Sequence, residues 1–225
     1  MPKRQLPWHS SLWAVMQKDL RCELRSRYAV SSLAMFALVT VASISMSLAG
    51  LSPSSDLAAA LLWVVLFFCA MAGLARVFIS EQEAGTLFVL QFYGRGQAVL
   101  FGKLIFNTLL LMAVTVLVIP LFIVLMNLAI PQWIPLLAVL VLGNIGIAAV
   151  ATLTALMVCQ AGGKGSLFAV ITFPLLLPQY LTVIAATGKI LENACLSMQD
   201  FWFMAGYDIT VLIASSILFD YLWCD

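Results

Sequence analysis

Long apolar runs, almost free of charge, leave this chain few ways to fold. The stretch Leu57–Ile79 carries one charged residue, Arg76, near its end. Val99–Leu125 carries only Lys103, and Ile134–Cys159 carries none. A helix needs about 20 mostly apolar residues to cross a bilayer. In lipid the backbone must satisfy its own polar groups, which selects helices for such runs. Six spans are expected, at 29–50, 57–79, 99–125, 134–159, 167–187 and 203–222. The chain of 225 residues is 64% hydrophobic and 9% charged, against about a quarter charged in soluble domains. A soluble fold could not cover that apolar surface. The expectation is an all-α polytopic membrane protein, one transmembrane domain over 1–225. Its outer loops, 51–56 and 127–133, are too short for a folded external domain.

Charge orients the spans. Six crossings put both termini on one side. Every one of the 11 Lys and Arg residues except Lys189 is assigned to that side, Lys103 included. Lys and Arg accumulate in cytoplasmic loops, so both termini are expected inside. No signal-peptide pattern is read, because the first apolar run has no small-residue cleavage site in a polar exit.

The segment Trp8–Tyr28 differs from the spans. Leu12, Met16, Leu20 and Leu24 recur every fourth residue, while Lys18, Arg21, Glu23, Arg25 and Arg27 fall mostly off that stripe. Glu23 precedes Arg27 in the favourable i,i+4 order. Such a helix lies in the interface plane, apolar face in lipid and basic groups at headgroups. The alternative is a plain basic anchor for the first span.

Small residues mark close helix approach in lipid. The fourth span is rich in them (Gly143, Gly146, Ala148, Ala149, Ala151, Thr152, Ala155) and is expected to face protein. Ser43, Ser45 and Ser47 mark the first span in the same way. Pro174 and Pro178 in the fifth span remove two backbone donors and bend the helix. That bend serves packing, or flexing during transport.

No chemical site is read. His9 is the only histidine, and a metal or haem ligand needs companions. The five cysteines fit no zinc or redox spacing. The ten methionines read as core filler. GGKGS at 162–166 lacks the spacing of a phosphate-binding loop, so no ATP, cofactor or metal is expected on this chain. Nucleic acid is not an expected partner, for want of a basic domain. Asp208 and Asp220 lie toward the ends of the sixth span, where either could reach water. Asn107, Asn144 and Gln179 read as interhelical hydrogen bonders.

Between the second and third spans lies a charged patch, ARVFISEQEAG at 75–85. It reads as a short wet helix meeting a soluble partner, or as a solvated loop. Its residues resemble a family pattern close to R-x-F-x-x-D-x-E-D-G-[ST]-L-E. Here they are Arg76, Phe78, Glu81, Glu83, Gly85, Thr86 and Leu87. Lys103 and the run Phe173-Pro174-Leu175 with Pro178 extend the likeness. Glu81 stands for the usual Asp, Ala84 and Phe88 stand where acids are common, and Tyr93-Gly94 replaces Ser-Pro. The chain resembles the haem exporter protein B family (CcmB), the type-2 ABC exporter permeases of cytochrome c maturation.

That resemblance implies a non-catalytic permease of the bacterial inner membrane, with a coupling helix between spans 2 and 3. It implies a separate cytoplasmic ATPase that binds ATP, a second permease copy, and two further membrane partners. One of these is the haem-handling protein CcmC, the other the small protein CcmD. Haem would belong to the complex, and lipid would surround it. The output would be release of a haem-loaded chaperone for c-type cytochromes. Two other readings stand beside it: a type-2 permease for a lipid or polysaccharide, and a secondary carrier.

Overall fold

A computed structural model of the chain describes residues 8–26, 28–48, 51–74, 96–160 and 166–224. Within them are seven helices: α1 (Trp8–Ser26), α2 (Tyr28–Ser47), α3 (Ser55–Leu74), α4 (Gly96–Met126), α5 (Trp133–Gln160), α6 (Ser166–Leu191) and α7 (Met198–Cys224). Six of these, α2 to α7, are long and apolar enough to cross a membrane. The expected spans are all present, with shifted ends. α7 begins five residues before the expected 203, and α4 has 31 residues. At 1.5 Å per residue α4 is about 46 Å long, against a hydrocarbon core of about 30 Å. It therefore tilts or reaches past the hydrocarbon.

The helices end where local chemistry stops them. Asn127, just past α4, and Asn193, past α6, have positive φ (49° and 59°). Asn tolerates that region better than most side chains. Each closes a helix C-terminus, with Leu128 N donating to Ile123 O at 3.2 Å and Ala194 N to Lys189 O at 2.9 Å. This is the six-to-one bond of a left-handed helix cap. At the start of α7, Ser197 Oγ accepts from Asp200 N at 3.3 Å, as an N-cap serine does. Asp200 also pairs with Lys189 at 2.6 Å, tying the end of α6 to the start of α7.

α5 is the most buried of the spans, as its small residues predict. It packs against α4, α6 and α7. Trp63 of α3, fully buried, lies over Gly143 of α5, where any Cβ would overlap the indole. Its Nε1 donates to Thr187 Oγ1 of α6 at 2.9 Å. Phe67 of α3 meets Phe173 and Tyr180 of α6 edge to face, each at 5.7 Å between centroids. One aromatic seam thus joins three helices. Thr187→Val should leave the indole N–H unpartnered and lower stability by about 0.6–1.7 kcal/mol, the range for interhelical bonds in lipid. Unfolding in mixed micelles, followed by tryptophan fluorescence, measures it.

The serines of α2 behave differently from expectation. Ser43 and Ser47 donate to carbonyls of their own helix, Val39 O and Ser43 O. Of these three, Ser45 crosses to another helix, donating to Leu125 O of α4 at 2.8 Å. A helical serine can always satisfy itself one turn back, so serine content alone does not locate a helix contact.

Candidate functional site

The residues expected to couple to a partner, Arg76, Phe78, Glu81, Glu83, Gly85, Thr86 and Leu87, lie outside the described residues. So does the loop at 161–165. The helices that bracket the coupling segment are described, and both are rooted tightly. α3 ends at Leu74, which is buried. One residue earlier, a Cβ on Gly73 would stand 2.8 Å from Leu33 Cδ1 of α2. α4 begins at Gly96 and runs at once against α1. At Gly102 a Cβ would stand 3.1 Å from Leu12 O and 3.2 Å from Val15 Cβ.

Beside Gly102, Lys103 is buried, its side chain 1% exposed. Its Nζ reaches Asp19 Oδ2 of α1 at 3.4 Å, and Lys18 Nζ reaches Asp19 Oδ1 at 3.1 Å. Lys103 thus lies inside α4, as the bounds of the third span expect, and clamps α1. It also amends the picture of α1 lying only on lipid. Ser11, Val15 and Met16 are buried, while Trp13 and Leu20 stay exposed. The apolar stripe is divided between α4 and the surroundings. Glu23 Oε1 accepts from Val30 N at 2.9 Å near the start of α2. Arg27 lies outside the described residues.

The described ends on either side of that segment are thus seated on α2 (Gly73) and on α1 (Gly102). Lys103→Met should strip Asp19 of its buried partner. Leaving a buried charge bare costs about 3–5 kcal/mol; Asp19 keeps Lys18 and is 12% exposed, so the expected cost falls below that range. α1 should then loosen, seen as faster tryptic cleavage after Arg21 and Arg25 in membranes.

Inside the bundle the expected polar residues do cross between helices. Asn107 Nδ2 donates to Thr152 Oγ1 at 2.8 Å, and Asn144 Nδ2 to Thr115 Oγ1 at 2.9 Å, joining α4 to α5 twice. Thr154 and Thr172 share a 2.8 Å bond between α5 and α6. Gln179 Nε2 donates to Leu142 O of α5 at 3.2 Å. α6 is a single helix through Pro174 and Pro178. Thr182 Oγ1 donates to Pro178 O at 2.9 Å, and the Tyr207 hydroxyl of α7 donates to Leu175 O.

Asp208 departs from expectation. Because α7 starts at Met198, this residue lies ten positions into the helix, and it is only 6% exposed. It faces the bundle and not water. The Asp220 side chain lies outside what is described. Among the described residues no group of three or more His, Cys, Asp or Glu could hold a metal ion.

Sequence reasoning does not single out Asp19, Tyr207 or Gly102. Gly102 and Lys103 carry a signal: a small residue next to a lone cation inside an apolar run. Tyr207 carries none, since its partner is a backbone carbonyl on another helix.

A bundle of six spans with a basic helix clamped at one end and a charged segment between its second and third spans defines a multi-pass membrane protein. A sequence model of the CcmB protein matches residues 10–219, and the chain belongs to the CcmB family. No curated protein and no solved structure matches the chain.

Proposed function

We propose that this chain is the membrane permease subunit of an ABC exporter that serves haem delivery, or release of a haem-loaded chaperone, in c-type cytochrome biogenesis. Membership of the CcmB family over nearly the whole chain carries this reading. ATP is hydrolysed by a separate cytoplasmic ATPase. That ATPase seats on the segment 76–87, with Arg76, Phe78, Glu81, Glu83, Gly85, Thr86 and Leu87 as its coupling surface. Motion there passes into α4 through Gly102 and Lys103, into α1 through Asp19, and into α2 through Gly73. The membrane is the bacterial inner membrane, with both termini cytoplasmic. The cluster of Lys18, Arg21, Arg25 and Lys103 at the α1 end supports that orientation. The opposite end carries Asp56, Glu192 and the Lys189–Asp200 pair.

The test is complementation. A strain lacking its own protein of this family should lose covalently haem-bearing c-type cytochromes and regain them when this chain is supplied. Failure to restore them, with the chain present in the membrane and the other components intact, would refute the haem-delivery role.

The transport-relevant surface lies between two copies. α2 and α6 keep large apolar side chains outward, among them Met35, Val39, Met46, Val170 and Leu181. Single cysteines at these positions, in a background without the native five, should crosslink copy to copy in membranes. Crosslinks only to a different protein, at every position, would exclude the two-copy arrangement.

A further inference from the structure

The fold divides α1 into three stripes with different surroundings. Ser11, Val15 and Asp19, four residues apart, form the stripe that meets α4, with Met16 buried beside them. Trp13 and Leu20, two turns apart, form a second, and both are exposed, at 59% and 37%. Lys18, Arg21 and Arg25, spaced three and four, form a third. At 3.6 residues per turn the three stripes stand roughly a third of a turn from one another. The charges of the protein-facing stripe are settled. Asp19 takes both Lys103 and Lys18, and Glu23 accepts from Val30 N. Arg21 and Arg25 are exposed, and among the described residues neither pairs with an acid.

The level of α1 follows from its neighbours. α2 has 20 residues, about 30 Å, which is the whole hydrocarbon thickness. α1 ends at Ser26 and α2 begins at Tyr28, so α1 stops where the crossing starts. Its contact on α4, at Gly102 and Lys103, lies 23 or more residues before the end of that helix, again past the hydrocarbon. α1 therefore occupies the headgroup region. Exposed Trp and Leu belong at the boundary between acyl chains and headgroups. Arginine beside them meets phosphate, whose oxygens match the planar guanidinium fork. A zwitterionic headgroup brings its own ammonium to that phosphate. A net-negative headgroup leaves the phosphate charge for the protein.

We propose that α1 is a seat for anionic phospholipid. Arg21 and Arg25, one turn apart and with Lys18 at their edge, hold the phosphate of a net-negative headgroup, while Trp13 and Leu20 enter the acyl boundary beside it. The same helix is fastened to α4 through Asp19 and Lys103, so the lipid is bound at a corner of the bundle and is distinguished from the bulk by charge. The seat belongs to the permease alone and is independent of its cargo and its ATPase.

Electron spin resonance of the purified full chain in phosphatidylcholine bilayers, without ATPase, tests it. Spin-labelled phosphatidylglycerol should associate with the protein more strongly than spin-labelled phosphatidylcholine. Arg21→Gln combined with Arg25→Gln should remove the excess, a loss of about fivefold in association, the worth of one basic residue at an anionic surface. Glutamine is as good a helix former as arginine, so the helix is kept. Equal association of the two lipids with the wild type, or an excess unchanged in the double variant, overturns the proposal. Should the double variant fail to accumulate, the wild type decides: a phosphatidylglycerol with a photoreactive headgroup should label residues 18–25, and unlabelled phosphatidylglycerol should compete better than phosphatidylcholine. No label in α1 overturns the proposal. So does loss of ATPase capture by the double variant with the lipid preference intact, which would make the stripe a protein interface.

Discussion

Gly146→Leu is expected to abolish accumulation of the protein in the membrane. The Gln179 amide occupies the space a side chain at 146 would need. Relief requires Gln179 to swing out, which breaks its bond to Leu142 O, or α6 to move away from α5. Overpacking of this kind costs about 1–3 kcal/mol. An amide left unsatisfied costs about 1–3 kcal/mol more. Together these take a large share of a total stability of about 5–15 kcal/mol. Gly143→Leu should behave alike, because the Trp63 ring fills the space there. Gly206→Leu is the control. A Cβ there meets nothing within 4 Å, so it should accumulate normally. Fluorescence of a C-terminal reporter and the elution profile in detergent read all three. Equal amounts of Gly146→Leu and wild type would refute this account of the α5–α6 seam.

Glu81→Lys combined with Glu83→Lys should release the ATPase while the permease remains folded. The two acids stand in the charged stretch between the second and third spans. Both acids are reversed together, so that neither is left to hold the partner. The change moves the segment by four charges at a surface that a soluble partner has to match. Truncating or reversing charges at such an interface costs about 2–5 kcal/mol where the pair is desolvated. That corresponds to roughly 30- to 5,000-fold weaker binding. Affinity capture of the tagged permease, with the bound ATPase quantified, gives the result. Retention of the ATPase at wild-type level would remove these acids from the interface.

The spans are legible in the sequence because run length alone reports them: each apolar stretch has to become a helix to satisfy its backbone in lipid. The burial of α5 is legible because small residues have that use there. What joins the helices is harder to read. Lys103 resembles one more basic residue of the cytoplasmic side until the fold brings Asp19 of α1 to it, and α1 and α4 are far apart in the chain. Asp208 reads as a span-end residue because the apolar run begins at Phe203, whereas Ser197 starts the helix earlier with a polar turn. Its depth follows from that cap. The roles of Asn127 and Asn193 in closing helices rest on local φ, which apolar periodicity does not register. The coupling residues 76–87 stand out by charge contrast and by family resemblance. Of their surroundings, the flanks at Gly73 with Leu74 and at Gly96 to Lys103 acquire a physical setting from the fold.

The central claim is that the segment 76–87 couples this membrane protein to a separate ATPase. Its most direct test is site-specific photocrosslinking in native membranes. A photoreactive residue is placed singly at 78, 82, 84 and 86, and at the exposed positions 46 and 181 of α2 and α6 as controls. The account predicts an ATPase adduct from the segment and none from 46 or 181, with the adduct lost in the Glu81→Lys, Glu83→Lys background. No ATPase adduct from any of the four segment positions, in membranes where the ATPase is present and the transporter active, would contradict it.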